Sequence, residues 1–337
     1  MLPVMVLAVL GLGAGPATVA PGAAVVAAPV FAPVDRPGPA LSVPAPVLAQ
    51  SLQCTASATA SSREVVLLVP GTTVTPKEDF GWNWFPALSR LGWPYCSVTL
   101  PDHAMSDAQV AAEYVVYAIR EVHRISGHRV SILGHSQGGT EPRFALRFWP
   151  DLRPMVDDYI GVAATNHGSV AVDQMCTSSC AEALWQQRSH SRYTEAMNSY
   201  QETFPGIFYT NIYTHTDEFV QPNLDGSGTT SLHGGGGRIT NVAIQDICPQ
   251  DLTSEHVAIG TYDPVAYAIA IDALTHDGPA DPARVSRAVC SEAFMPGVVP
   301  AQFPGAYGDT MNTIATELLT HSQVAAEPPL KGYTLAG

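Results

Sequence analysis

Charge is sparse in this sequence. Asp, Glu, Lys and Arg make up 14% of its 337 residues, and the 16 basic side chains are outnumbered by 30 acidic ones. With a formal charge of −14, no basic stripe and no base-stacking motif, the chain is not built for nucleic acid or for anionic membrane surfaces. Its six cysteines contain no C-x-x-C pair, a spacing that does not suit a zinc site, and no metal or other cofactor is expected. No stretch repeats at a fixed period. Apolar residues reach 46%, so the shortage of charge is not that of a disordered chain, and the length allows one large α/β domain with a full core.

The first 50 residues lack what would anchor them. Residues 2–12 are apolar, but no Lys or Arg precedes them, and Pro3, Gly11 and Gly13 interrupt the run short of a membrane span. Residues 1–24 read as a signal peptide, with Ala24 favoured over Ala20 for cleavage because Pro21 follows the latter. Residues 25–50 are Ala/Pro/Val-rich with only Asp35 and Arg36 charged, which reads as a flexible pro-segment or spacer, and 51–337 as the folded domain. The expected destination is outside the cell. In that compartment the even set Cys54, Cys96, Cys176, Cys180, Cys248 and Cys290 reads as three disulfides.

What remains alternates strands and helices. Val65-Val66-Leu67-Leu68-Val69 is apolar on both faces, as in a central parallel strand, and Pro70-Gly71-Thr72-Thr73 stops it. Ligands bind at the carboxyl ends of such strands, so Thr72 is a candidate contact. Trp82, Trp84 and Phe85 read as core aromatics at the start of a helix, and residues 95–100 as the next strand. Ser106-x-x-Gln109 reads as a capping box, after which Ala111, Val115, Ala118, Val122 and Ile125 form one apolar stripe ended by Ser126-Gly127. Strand, helix, strand in this order is a crossover unit of a parallel sheet. Further strands are predicted over 159–164, 208–213 and 239–244, a helix over 264–274, and a helical piece near 311–319. Residues 169–200 hold Cys176, Cys180 and an amphipathic piece around Ala183-Leu184-Trp185. They fit a lid over the site and an ordinary surface helix equally well.

The chemistry centres on Gly134-His135-Ser136-Gln137-Gly138, a G-x-S-x-G after the apolar run Val130, Ile132, Leu133 and before a helix carrying Pro142. This pattern serves a serine that stands on a sharp strand-to-helix turn with its hydroxyl exposed above the sheet. Ser136 is the candidate nucleophile. It needs an imidazole as base and a carboxylate to orient that imidazole, in the chain order serine, acid, histidine. Asp217 and His256 lie just beyond strand ends, yet Glu218 and Asp225 compete for the acid, and His233 and His276 for the base.

Several segments in the right order narrow this choice. They are Leu67-Leu68-Val69-Pro70-Gly71-Thr72, Asn83-Trp84, Leu91-Gly92 with Cys96 beyond, Asp107-x-Gln109-Val110-x-x-Glu113-Tyr114, Ser136-Gln137-Gly138-Gly139 and Thr216-Asp217-Glu218-x-Val220-Gln221-Pro222. Through them, over roughly residues 54–290, the chain resembles the Candida antarctica lipase B group and the wider class 2 lipases of the α/β-hydrolase superfamily. The resemblance implies an α/β-hydrolase fold: a mostly parallel central sheet with helices on both faces and a small lid. It implies Ser136 as nucleophile, Asp217 as acid and His256 as base, with Thr72 and Gln137 as the oxyanion hole. It implies disulfides Cys54–Cys96 and Cys248–Cys290, each worth about 4 kcal/mol in the chain-entropy model, leaving Cys176 and Cys180 to pair locally. Two departures bear on substrate binding. His135 stands where the group carries a tryptophan lining the alcohol pocket, and Thr165 where it carries an acid near the site.

The resulting expectation is a secreted, monomeric serine esterase or lipase acting through an acyl-enzyme on triacylglycerols or other apolar esters, at a lipid–water interface or on small esters. A polyester depolymerase or acyltransferase shares the same triad, and a non-catalytic binding protein the same fold.

Overall fold

The structure is a computed structural model that describes residues 30–336. The signal-peptide expectation for residues 1–24 lies outside them. The apolar runs form a seven-stranded sheet: β1 (Leu52–Cys54), β2 (Val65–Val69), β3 (Tyr95–Val98), β4 (Val130–His135), β5 (Val156–Val162), β6 (Phe208–Tyr213) and β7 (Arg238–Ala243). Their spatial order is β1-β3-β2-β4-β5-β6-β7, and every pairing is parallel except β1 with β3. The period-two rule of a strand is visible in β2. Val65, Leu67 and Val69 enter the core on one face of the sheet, Val66 and Leu68 that on the other, and all five are fully buried. Burying one such side chain is worth roughly 1.5–3 kcal/mol.

Helices fill both faces. In chain order they are α1 (Ala45–Ser51), α2 (Pro76–Phe80), α3 (Trp84–Arg90), α4 (Ala108–Ser126), α5 (Gln137–Phe148), α6 (Val170–Met175), α7 (Glu182–Gln186), α8 (Arg192–Met197), α9 (Ile244–Ile247), α10 (His256–Thr261), α11 (Pro264–Thr275) and α12 (Phe303–Thr320). Helices α4 and α5 pack in the core on one face, α3 and α11 in that on the other. The stripe read on α4 is buried at Ala111, Val115, Ala118 and Val122, and Gly127 ends the helix in the left-handed conformation. Its cap is not the expected Ser106. The Asp107 carboxylate accepts from the Gln109 N–H, which adds a favourable charge at the helix N-terminus, and the Gln109 side chain is spent on Asp107 and on the Lys331 N–H instead. Pro142 does not end α5, which runs through it.

Residues 31–50 depart from the spacer expectation. They lie on the domain, where buried polar groups of the core take their backbone and the Ser42 hydroxyl as partners. Arg147 donates to the Ala32 carbonyl, Glu113 accepts from the Ser42 hydroxyl at 2.7 Å and the Val43 N–H at 3.0 Å, and Trp149 donates to the Pro39 carbonyl at 2.9 Å. Ala32 and Leu48 are buried in the core. Cys54 sits in β1 opposite Cys96. The disulfides are Cys54–Cys96, Cys176–Cys180 and Cys248–Cys290.

Helices α6, α7 and α12 form a roof above the carboxyl end of the sheet. Val172, Cys176, Cys180, Leu184 and Trp185 make a small apolar cluster of their own, with Leu318 and Val324 packed on it. The Val324 N–H donates to the Cys180 carbonyl at 2.8 Å, and Trp185 donates to the Val324 carbonyl at 2.9 Å, which ties the chain after α12 to the 169–200 segment.

Candidate active site

Sequence and sterics explain the turn after β4. Ser136 is held at φ 55°, ψ −124°, a conformation that costs an ordinary residue of order 1–3 kcal/mol. The flanking glycines make it buildable. A Cβ on Gly134 would lie 2.1 Å from the Gly138 carbonyl oxygen, and one on Gly138 would lie 2.1 Å from that of Val69. The turn after β2 passes directly over the serine, since a Cβ on Gly71 would be 3.2 Å from Ser136 Cβ.

Three side chains from distant segments meet there. Ser136 Oγ lies 3.0 Å from His256 Nε2, and His256 Nδ1 lies 3.0 Å from Asp217 Oδ2. A carboxylate only accepts, so Nδ1 carries the proton and Nε2 presents its lone pair to the serine hydroxyl. The other oxygen of Asp217 accepts from the N–H groups of Phe219 and Val220 at 2.9 and 2.7 Å, which fixes the carboxylate in place. Burial disfavours the charged ring of His256, but the Asp217 carboxylate, helped by Glu218 and Glu255, outweighs it and raises the imidazole above its ordinary value. The competitors fall elsewhere. Glu218 accepts from the His256 backbone N–H at 3.1 Å rather than from its ring, and Asp225 is exposed in its loop. His233 is exposed, and His276 bonds the carbonyl of Asp272 on its own helix.

Thr72 and Gln137 also converge, through their side chains: the Thr72 hydroxyl donates to Gln137 Oε1 at 2.6 Å. The backbone N–H of Gln137 opens α5 and so has no helical carbonyl to serve. Thr165 is buried and donates to Gln187 Oε1 at 3.2 Å. His135 lines the cleft, but it is not a loose polar wall. Its Nδ1–H donates to Asp79 Oδ1 at 2.8 Å, and Nε2 faces the carbonyl oxygen of His256 at 3.3 Å.

The cleft above Ser136 is apolar on its roof side. Val172 and Met175 from α6, Leu184 from α7, and Ile314 and Leu318 from α12 line it, together with Phe219, Val220 and Val257. Its free volume is ≈ 70 Å³, below the 300–1,000 Å³ common for ligand pockets, so the roof closes down on the serine. Met175, which lines it, is also partly exposed, as are Val170 on α6 and Leu319 on α12. Four contributors escaped the sequence reading. Asp79, Glu141 and Gln187 are single polar residues with no local signature. Helix α12 did carry one, because Thr310, Ile314 and Leu318 recur at the four-residue spacing of a helical face.

Among the described residues, Glu64, Asp157 and Asp158 form a carboxylate group whose oxygens lie within 4.8 Å of one another. Arg129 pairs with Asp157 at 2.5 Å, and burial lifts Glu64 to about 7 and Asp158 to about 8.

The sequence family described as Lipase (class 2) matches residues 110–242, a stretch that holds Ser136 and Asp217 and ends before His256. Lipase B of Pseudozyma antarctica is 33% identical over 222 residues, 65% of this chain and 64% of that protein. The chain thus matches less than two thirds of that relative's length. The crystal structure of Aspergillus fumigatus lipase B superposes with a TM-score of 0.80 at 29% identity, covering 90% of this chain and 75% of that one. The architecture is the α/β-hydrolase fold; the likeness to class 2 lipases spans residues 110–242, and that to the Aspergillus fumigatus lipase spans 90% of the chain.

Proposed function

From an α/β-hydrolase chain related to the class 2 lipases, we propose a serine hydrolase that cleaves carboxylic esters with an apolar acyl part. The observation that carries this reading is the continuous relay from Asp217 through His256 to Ser136, set on a strained turn beneath an apolar cleft. His256 takes the proton of Ser136 as its Oγ attacks the ester carbonyl, forming a tetrahedral oxyanion. The oxyanion is held by N–H groups of Thr72 and Gln137 and by the Thr72 hydroxyl; one such donor is worth about 3 kcal/mol. The C–O bond to the alcohol then breaks as His256 returns the proton to the departing oxygen. Water, deprotonated by the same ring, attacks the acyl-serine, and the acid leaves with Ser136 restored.

The apolar lining favours acyl chains over charged groups, and the exposed Val170, Met175 and Leu319 of the roof helices suit contact with a lipid–water interface. Three disulfides suit an oxidising, extracellular setting. A fluorophosphonate probe should label the wild-type protein and leave Ser136→Ala unlabelled. Hydrolysis of p-nitrophenyl esters of increasing acyl length should disappear in the same variant. Undiminished labelling or hydrolysis in Ser136→Ala would overturn the proposal.

A further inference from the structure

In the resting site the Thr72 hydroxyl does not point at the oxyanion position: it is bonded to Gln137 Oε1 at 2.6 Å. What surrounds that bond is a chain of buried amides and hydroxyls with a fixed polarity. Gln187, at the end of α7 in the roof, has Nε2 within 3.3 Å of the Ala183 carbonyl oxygen, a group that can only accept. This pins the amide with its nitrogen on that side. Its Oε1 is thereby turned to the Thr165 hydroxyl, and its two N–H bonds are shared among Ala183, Gln137 Oε1 at 2.8 Å and Thr72 Oγ1 at 3.0 Å. Gln137 must then point its oxygen at Gln187 and its nitrogen at Glu141, whose Oε1 accepts at 2.6 Å. Every member beyond Thr72 is buried.

We propose that Gln187 is a positioning residue for the oxyanion hole, a role resting on the ester-hydrolase reading above. When charge develops on the substrate, the Thr72 hydroxyl has to turn from Gln137 Oε1 to the oxyanion. That would strand a buried acceptor, which is costly, unless a second donor remains on it. Gln187 Nε2 is that donor. By also donating to Thr72 Oγ1, it polarises the hydroxyl and makes its proton a stronger hydrogen-bond partner. Because Gln187 belongs to the roof, the readiness of the oxyanion hole is tied to the roof being docked.

A double-mutant cycle on a short-chain p-nitrophenyl ester tests this. Thr72→Val should lower kcat by about 100-fold or more, as loss of one oxyanion donor does. Gln187→Leu alone should lower kcat by about tenfold with KM changed by less than roughly twofold, the pattern of an interaction used in the transition state. In the Thr72→Val background the same change should cost no more than roughly twofold, because the hydroxyl it acts on is gone. If Gln187→Leu does not fold, Gln187→Met, which keeps the side-chain length and removes the Nε2 donor, is read in the same cycle with the same expectation. Equal losses in both backgrounds, or an unchanged kcat, overturn this role alone. Full turnover in Ser136→Ala overturns it together with the reading beneath it.

Discussion

Two aspartate–imidazole pairs lie side by side under the cleft, with the rings of His135 and His256 5.2 Å apart. Asp79 holds Nδ1 of His135 at 2.8 Å and Asp217 holds Nδ1 of His256 at 3.0 Å, and all four side chains are buried. By composition, burial and first contact they are the same device. They differ at Nε2. That of His256 meets the hydroxyl of Ser136, whereas that of His135 meets the backbone carbonyl of His256. An imidazole facing a hydroxyl has a proton to take; one facing a carbonyl does not. An acid–histidine pair is therefore no signature of catalysis until its third partner is known, and here the second pair braces the first.

The largest effect that separates the pairs is on turnover. His256→Ala should lower kcat/KM by roughly 10⁴–10⁶-fold, as loss of a triad base does, while His135→Ala should cost about tenfold or less because it alters a pocket wall. Steady-state kinetics on one p-nitrophenyl ester checks both, and comparable losses would erase the distinction.

A middle-sized effect tests the bracing. Gly260, on the helix headed by His256, is packed against the other ring: a Cβ there would lie 2.2 Å from His135 Nε2. Gly260→Ala should destabilise the fold by about 1–3 kcal/mol in urea unfolding, the usual range for overpacking. The double variant with His135→Ala should recover most of that loss. No recovery would show that His135 does not set the position of α10.

The smallest effect sets these paired acids against acids without an imidazole. At the other end of the sheet, burial, then Asp157 and Glu64, pushes Asp158 up to about 8, and burial and Asp157 push Glu64 to about 7. In the unfolded chain both fall back to about 4. The folded state therefore binds more protons than the unfolded one between those values, and stability should fall as pH rises from about 4 to 8. Asp158→Asn should flatten that decline by about 1 kcal/mol or more between pH 5 and pH 8, read by urea unfolding. An unchanged slope would mean that Asp158 is already ionised at neutral pH.

The comparison also explains what could be read from the sequence. The elbow was legible because its constraint is local: Gly134 and Gly138 are required by contacts within a few residues of Ser136 and by the neighbouring strand. The central strands were legible for the same reason, their apolar runs being complete in themselves. Asp217 stands out from its competitors through the motif Thr216-Asp217-Glu218-x-Val220-Gln221-Pro222, whereas His256 carries no comparably specific motif of its own. Asp79, Gln187 and Glu141 were not, since a lone polar residue says nothing about which distant backbone turns it inward. The roof shows the intermediate case. The helical spacing of Thr310, Ile314 and Leu318 announces a buried face, but nothing in that spacing says that the face lies over residues 169–200 and the serine. Residues 31–50 misled through composition alone, because the buried charges of Glu113 and Arg147 that recruit their backbone lie far along the chain.

Which imidazole activates Ser136 is read most directly by trapping the acyl group. Wild-type protein and the two alanine variants are mixed with a p-nitrophenyl ester, quenched in acid within the first turnover and mapped by peptide mass. The acyl group should be found on Ser136 in the wild type and in His135→Ala, and be absent from His256→Ala. Acylation of a different residue, or undiminished acylation of Ser136 without His256, would contradict the account.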